Sequence, residues 1–136
     1  MPKIIATAEV TNKDENYTST VRVNQHQLLV DEPLEKGGKD AGPGPGDYLC
    51  AALASCKAIT LRMYAQRKKW EIGEIKVTAN LVLGNETASG NNTFFCQLNI
   101  TGDLDDEQQK RLLIIANSCP LHRLLSKPSD IVTTIM

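Results

Sequence analysis

Apolar and polar positions follow two rhythms along this chain, and the change between them sets out its elements. Residues 3 to 10 (KIIATAEV) are rich in β-branched side chains and predict a first strand. Residues 17 to 23 (YTSTVRV) alternate, with Tyr17, Ser19, Val21 and Val23 on one side and Thr18, Thr20 and Arg22 on the other, so a strand with one covered face is expected. After a short turn at Asn24-Gln25, residues 26 to 31 (HQLLVD) return as a third strand of an antiparallel meander. From Gly46 to Trp70 (GDYLCAALASCKAITLRMYAQRKKW) the period lengthens. Leu49, Ala52, Leu53, Ile59 and Met63 recur at spacings of three and four with Cys56 among them, which predicts a helix from about Asp47 to Lys68 or Lys69. Its first half, LCAALAS, is apolar or small nearly all round and reads as buried.

Period two then resumes. Residues 74 to 83 place Ile75, Val77, Ala79 and Leu81 on one face, and residues 93 to 101 do the same with Phe94, Cys96, Leu98 and Ile100 across a turn at 84 to 92. Asp103 or Asp105 can cap a second helix, DDEQQKRLLIIANS, with acids early and Lys110-Arg111 later. Pro120 suits the first position of a third, short helix and would put Cys119 at its N-cap. Residues 130 to 136 (DIVTTIM) read as a closing strand.

Composition narrows the function. With 136 residues the chain is expected to be one domain, with no repeat or low-complexity tract to divide it. A net charge of -1 gives no electrostatic reason for a nucleic-acid or anionic-membrane partner, and an aromatic share of 4% argues against a base-stacking surface. No apolar run is long enough to span a bilayer, and MPKIIATAEV lacks a signal-peptide pattern, so a cytoplasmic location is the expectation. The loop at 32 to 46 carries Gly42, Gly44 and Gly46, but intervening prolines remove N–H donors and no Walker lysine follows. A phosphate cradle is therefore poorly supported.

The four cysteines carry the candidate chemistry. In a reducing cytosol a structural disulfide framework is not expected, and none of them forms a CxxC pair. Cys50 and Cys96 read as core thiols. Cys119 has the stronger case for reactivity, because an N-cap sulfur faces free N–H groups and the positive end of the helix dipole, which lowers a thiol pKa. Cys56 is open between packing and reactivity; a thiol in an apolar helix needs a cation, and Arg22 is the candidate, set against its plain reading as a solvated strand arginine. Cys119 and His122 supply two ligands where zinc needs three or four, and adding His26 has no support, so no metal or bound cofactor is expected. His122 either faces solvent or helps hold Cys119 ionised.

Two stretches carry a family resemblance. GPGPGDYLCAALASCKAITLRMYAQRKKW resembles the segment around the peroxidatic cysteine of the OsmC/Ohr family (osmotically induced protein C and organic hydroperoxide resistance proteins), and ANSCPLHRLLSKP resembles its second cysteine motif. Together with DEP ahead of the glycine loop, they look like the small OsmC-like branch, and the resemblance covers nearly the whole chain. It implies an α+β, two-layer fold with antiparallel sheets packed around a long buried central helix, in an intertwined homodimer with sites at the subunit interface. It implies a cysteine-based peroxidase for organic hydroperoxides, with Cys56 peroxidatic and Cys119 resolving through an intramolecular disulfide, re-reduced by an external dithiol such as dihydrolipoamide. In the organic-peroxide branch an arginine from the N-terminal strands and a glutamate ten residues before the first cysteine hold the thiolate. Here that position is Gly46, with Asp47 beside it as the replacement carboxylate or as a simple helix cap, and Arg22 is the arginine candidate. Two other readings stay open: a catalytically weak OsmC-like protein serving as small-ligand binder or redox sensor, and a thiol–disulfide oxidoreductase, which the lack of CxxC weakens.

Overall fold

The computed structural model describes residues 2–136. The chain forms two compact units, the first ending at Leu49 and the second running Cys50–Met136.

In the first unit, β1 (Glu9–Thr11), β2 (Ser19–Val23) and β3 (His26–Val30) make an antiparallel sheet in that order, with Val21 opposite both Val10 and Leu28. The two-residue turn is where the alternation placed it, and Asn24 takes the left-handed backbone it tolerates better than most residues (φ 55°). β1 is much shorter than the predicted 3 to 10. β2 offers it only Arg22, Val21 and Thr20 as partners, so Ile4 and Ile5 have no strand partner among the described residues and are exposed.

Beyond β3 the loop is organised by one buried carboxylate. Asp31 accepts hydrogen bonds from the Thr18 hydroxyl (2.7 Å) and from the backbone N–H groups of Glu32 (2.8 Å), Ala41 (3.1 Å), Tyr17 (3.3 Å) and Lys39 (3.3 Å). Desolvation pushes its pKa up, but the bonds from Thr18, Glu32, Ala41 and Tyr17 outweigh that and hold it at about 2. Because the folded value lies below the ordinary 3.8, the ionised form stabilises the fold above about pH 4, and that contribution is lost as the pH falls through about 2. Urea unfolding between pH 2 and 7 is expected to show this step in the native protein and to lose it in Asp31→Asn, which is also less stable at neutral pH. Gly38 sits in the same loop because a Cβ there would lie 2.0 Å from the Glu32 carbonyl oxygen.

Helix α1 (Pro45–Lys68) starts two residues before the predicted Asp47. Pro45 takes the first helical position, where its missing N–H costs nothing, and Asp47 accepts the Gly44 N–H (2.9 Å). At the other end Lys69 is left-handed (φ 59°), Lys69 N–H donates to the Gln66 carbonyl and Trp70 N–H to the Ala65 carbonyl. This is a Schellman closure, and Trp70 completes it by packing edge-on against Tyr64 (centroids 5.5 Å apart).

In the second unit, β4 (Ile75–Val82) and β5 (Thr93–Ile100) pair along their whole lengths, and both show the predicted alternation of half-buried and exposed positions. Helix α2 (Asp106–Ala116) opens on a full capping box: Asp105 takes the Gln108 N–H (2.8 Å) and Gln108 takes the Asp105 N–H (3.0 Å). Leu61 and Tyr64 of α1 meet Leu112 and Ala116 of α2, and Trp70, Ile75, Leu98, Ile100, Leu104 and Ile115 close around them. Helix α3 (Pro120–Leu125) follows.

The α+β class with antiparallel sheets is as expected, but besides the length of β1 two further expectations fail. Residues 130 to 136 form no strand: Ile131, Val132 and Ile135 are exposed, with no strand beside them among the described residues. The first half of α1 is not buried all round. Leu53 and Lys57 lie on a buried stripe that continues through Leu61, Tyr64 and Ala65, while Leu49 (47%), Ala51, Ala52 and Ser55 are exposed. A helix packed along one side by α2 and a two-stranded sheet has only that side to bury.

Candidate functional site: a buried cysteine, its partner thiol and a buried lysine

Cys119 is at the N-cap of α3, as the Cys-Pro pair predicts. Its backbone is extended (φ −66°, ψ 149°), Pro120 fills the first helical position, and the sulfur accepts the His122 N–H at 3.3 Å. The cap does not give the lowered pKa expected from the sequence. Cys119 is fully buried, and burial pushes the thiol up; the His122 N–H opposes this, the nearby Cys56 thiol adds to it, and the charge of Lys57 opposes it. The net direction is upward. An N-cap lowers a thiol pKa in water-accessible settings, and here loss of solvent is the larger effect.

Cys56 lies on α1, half-buried, and is near enough to Cys119 to raise the pKa of that thiol. Both sulfurs are free thiols, as are Cys50 and Cys96. The fold thus joins two thiols that are far apart in the sequence. Cys96, on the covered face of β5, is half-buried rather than sealed in the core; burial raises its pKa, with Lys57 pulling down and Cys50 pushing up.

Lys57 went unnoticed in the sequence. It is 2% exposed, and its Nζ lies 2.9 Å from the Ala116 carbonyl oxygen, 2.9 Å from His122 Nδ1 and 3.5 Å from Asn117 Oδ1. Those three neighbours take all three ammonium hydrogens if the His122 ring is neutral with its proton on Nε2. Burial and the Lys57 charge both push the His122 pKa down, which favours that neutral ring. His122 is half-buried with Nδ1 turned to Lys57, and a neutral ring is not a cation toward Cys119. The available signal was spacing: Leu53, Lys57 and Leu61 fall four apart, so a lysine in that stripe is carried into the core. Beside it is a cavity of about 320 Å³, with Leu53, Phe94, Leu113 and Leu125 as apolar walls and Lys57 and His122 as polar ones. Cys56 and Cys119 are not part of that lining.

Arg22 and Asp47 belong to the first unit, and both are exposed. Arg22 is opposite Glu9 and Gln27 in the sheet register and forms no ion pair among the described residues. Asp47 is engaged with the Gly44 N–H, so it serves at least as a cap. His26 is exposed on β3. Among the described residues no cluster of three or more His, Cys, Asp or Glu side chains is arranged to hold a metal ion, and no helix is long and apolar enough to cross a membrane.

An α+β chain with a free thiol pair between a long helix and a Cys-Pro-capped helix defines a class, and comparison with known proteins gives it a family. The family of OsmC-like proteins matches residues 37–134, and the chain belongs to it. Among solved structures it is similar to an OsmC-like protein from Mycoplasma pneumoniae (20% identity, 93% of this chain and 89% of that one, TM-score 0.68). It is also similar to an organic hydroperoxide resistance protein from Elizabethkingia anophelis (22%, 90% and 89%, TM-score 0.64) and to one from Legionella pneumophila (18%, 92% and 91%, TM-score 0.64). At these identities the likeness establishes the fold. No curated protein matches the chain.

Proposed function

We propose that the protein is a thiol-dependent peroxidase that reduces organic hydroperoxides. The Cys56 thiolate attacks the distal peroxide oxygen, the O–O bond breaks, and the alkoxide leaves as an alcohol after taking up a proton, giving a sulfenic acid on Cys56. The Cys119 thiolate then attacks that sulfur, the S–O bond breaks, and hydroxide leaves as water with a second proton. An external dithiol of the dihydrolipoamide type reduces the Cys56–Cys119 disulfide and becomes a disulfide itself. Arg22 and Asp47 are assigned to holding the Cys56 thiolate, with Asp47 standing in for the carboxylate missing at Gly46. The reading extends to a cytoplasmic homodimer acting as one domain; the apolar side chains exposed on α1 (Ile59, Met63) and α2 (Leu113, Ile114) are of the kind that a second subunit covers.

The observation that supports this most is the nearness of Cys56 to Cys119, close enough to act on the ionisation of that fully buried thiol. A thiol pair brought this near by the fold has a short path to a disulfide. Stopped-flow oxidation by an alkyl hydroperoxide and by hydrogen peroxide, with thiol mass spectrometry on each product, tests it. The expected result is a Cys56–Cys119 disulfide that forms faster with the alkyl hydroperoxide. Thiols that survive an excess of both peroxides would end the proposal.

A further inference from the structure

Lys57 presents an imbalance that the peroxidase chemistry would resolve. A buried ammonium is normally paired with a carboxylate, yet among the described residues neither ion pair involves Lys57. What surrounds it is partial negative charge: the carbonyl of Ala116 at the C-terminus of α2, where the helix dipole is negative, the Asn117 side-chain oxygen, and the His122 ring. His122 is also the residue whose backbone N–H holds the Cys119 sulfur.

The geometry points to Lys57 as the positioning residue of the resolving step, its ammonium serving as counter-ion to the Cys119 thiolate and fixing, through His122, the turn that aims that sulfur at Cys56. This rests on the peroxidase reading for its role in turnover, but the charge coupling itself does not. In the step, the Cys119 sulfur bonds to the Cys56 sulfenic sulfur, the S–O bond breaks, and the Cys119 proton passes to the departing hydroxide to give water; no proton from Lys57 is needed. Its charge lowers the cost of the thiolate in a site where burial raises it. The titratable groups facing Cys119 are Cys56 and Lys57 from α1 and His122 from α3, and Lys57 also acts on Cys96 of β5. Neutral His122 and neutral Cys96 leave Lys57 as the one cation acting on the buried thiol among these.

The test uses the Cys56→Ser protein, in which Cys119 titrates without its partner thiol. The pH titration of Cys119 is followed through its 13Cβ resonance in cysteine-labelled protein, with and without Lys57→Met. Removing the charge is expected to move the midpoint up by about one pH unit or more, which is about a tenfold loss of reactive thiolate at pH 7. An unchanged midpoint in a folded variant overturns the proposal, because a merely structural lysine would not set it. Should Lys57→Met fail to fold, Lys57→Gln carries the same reading, and the Nζ resonance of Lys57 in Cys56→Ser needs no change at Lys57 at all. That resonance must shift with the Cys119 midpoint; a signal that ignores Cys119 ionisation also overturns the proposal. No peroxide enters these measurements, so failure of the peroxidase reading and failure of the Lys57 assignment are separate outcomes.

Discussion

Cys56→Ser is expected to lower alkyl hydroperoxide consumption by on the order of 10³-fold or more, to the background of the free dithiol, because a serine hydroxyl is not a nucleophile at neutral pH without a base beside it. Cys119→Ser is expected to behave differently. It should consume one equivalent of peroxide per subunit and stop, leaving a sulfenic acid on Cys56 that dimedone traps and that excess peroxide drives to the sulfinic acid. The contrast follows from the positions of the two sulfurs. Cys119 is sealed from solvent and its pKa is raised, which suits a group that acts only once a sulfenic acid stands beside it. Cys56 is half-buried, and of the two it is the one a peroxide from solution can reach. Both variants should melt within a few degrees of the native protein, since each exchanges one atom and leaves the helix caps standing. Undiminished turnover in Cys56→Ser would remove the peroxidase reading; full turnover in Cys119→Ser would move the resolving role to another thiol.

Signals that are complete within a few residues were readable from the sequence. The Asp105–Gln108 capping box, Pro120 after Cys119, and the period-two faces of β4 and β5 each need only local chemistry, and each is where the pattern placed it. What was not readable depended on neighbours distant in the chain. The β-branched content of 3 to 8 and 130 to 136 is real, but a strand requires a partner, and the described sheets offer none there. Lys57 was unremarked because a lysine on a helix usually lies at the surface; only the packing of α2 against α1 shows that this one is enclosed. The pKa of Cys119 was read in the wrong direction for the same reason. The N-cap is a local fact that lowers it, burial is a tertiary fact that raises it, and the second is larger. Cys119 was singled out by its Cys-Pro cap, and its pairing with Cys56 came only from the resemblance of their motifs. Periodicity alone left Cys56 between packing and chemistry, and it is the nearness of Cys119 that favours chemistry.

The largest expected effect on stability is at Leu61, one helical turn and a residue beyond Cys56. Its side chain is 0% exposed and is enclosed by Tyr64, Leu112 and Ala116, the contact that fixes α2 against α1. Leu61→Ala leaves a cavity there and is expected to cost about 3 kcal/mol, within the range of buried leucine truncations. For a chain of this size that corresponds to a fall in melting temperature of roughly 10 °C. Urea or thermal unfolding under reducing conditions measures it, and a loss below about 1 kcal/mol would mean that α2 closes over the gap. The same substitution separates two effects on chemistry. Cys56 is placed by α1 itself, so its first oxidation by hydroperoxide should keep its rate in the folded fraction. Cys119 is held from α3, directly after α2, and Ala116 supplies both a wall of the Leu61 site and the carbonyl that receives the Lys57 ammonium. Loosening α2 therefore reaches the resolving sulfur through two routes, and disulfide formation should slow while sulfenic acid formation does not. Equal slowing of both steps would show that α1, rather than the α2–α3 corner, had moved.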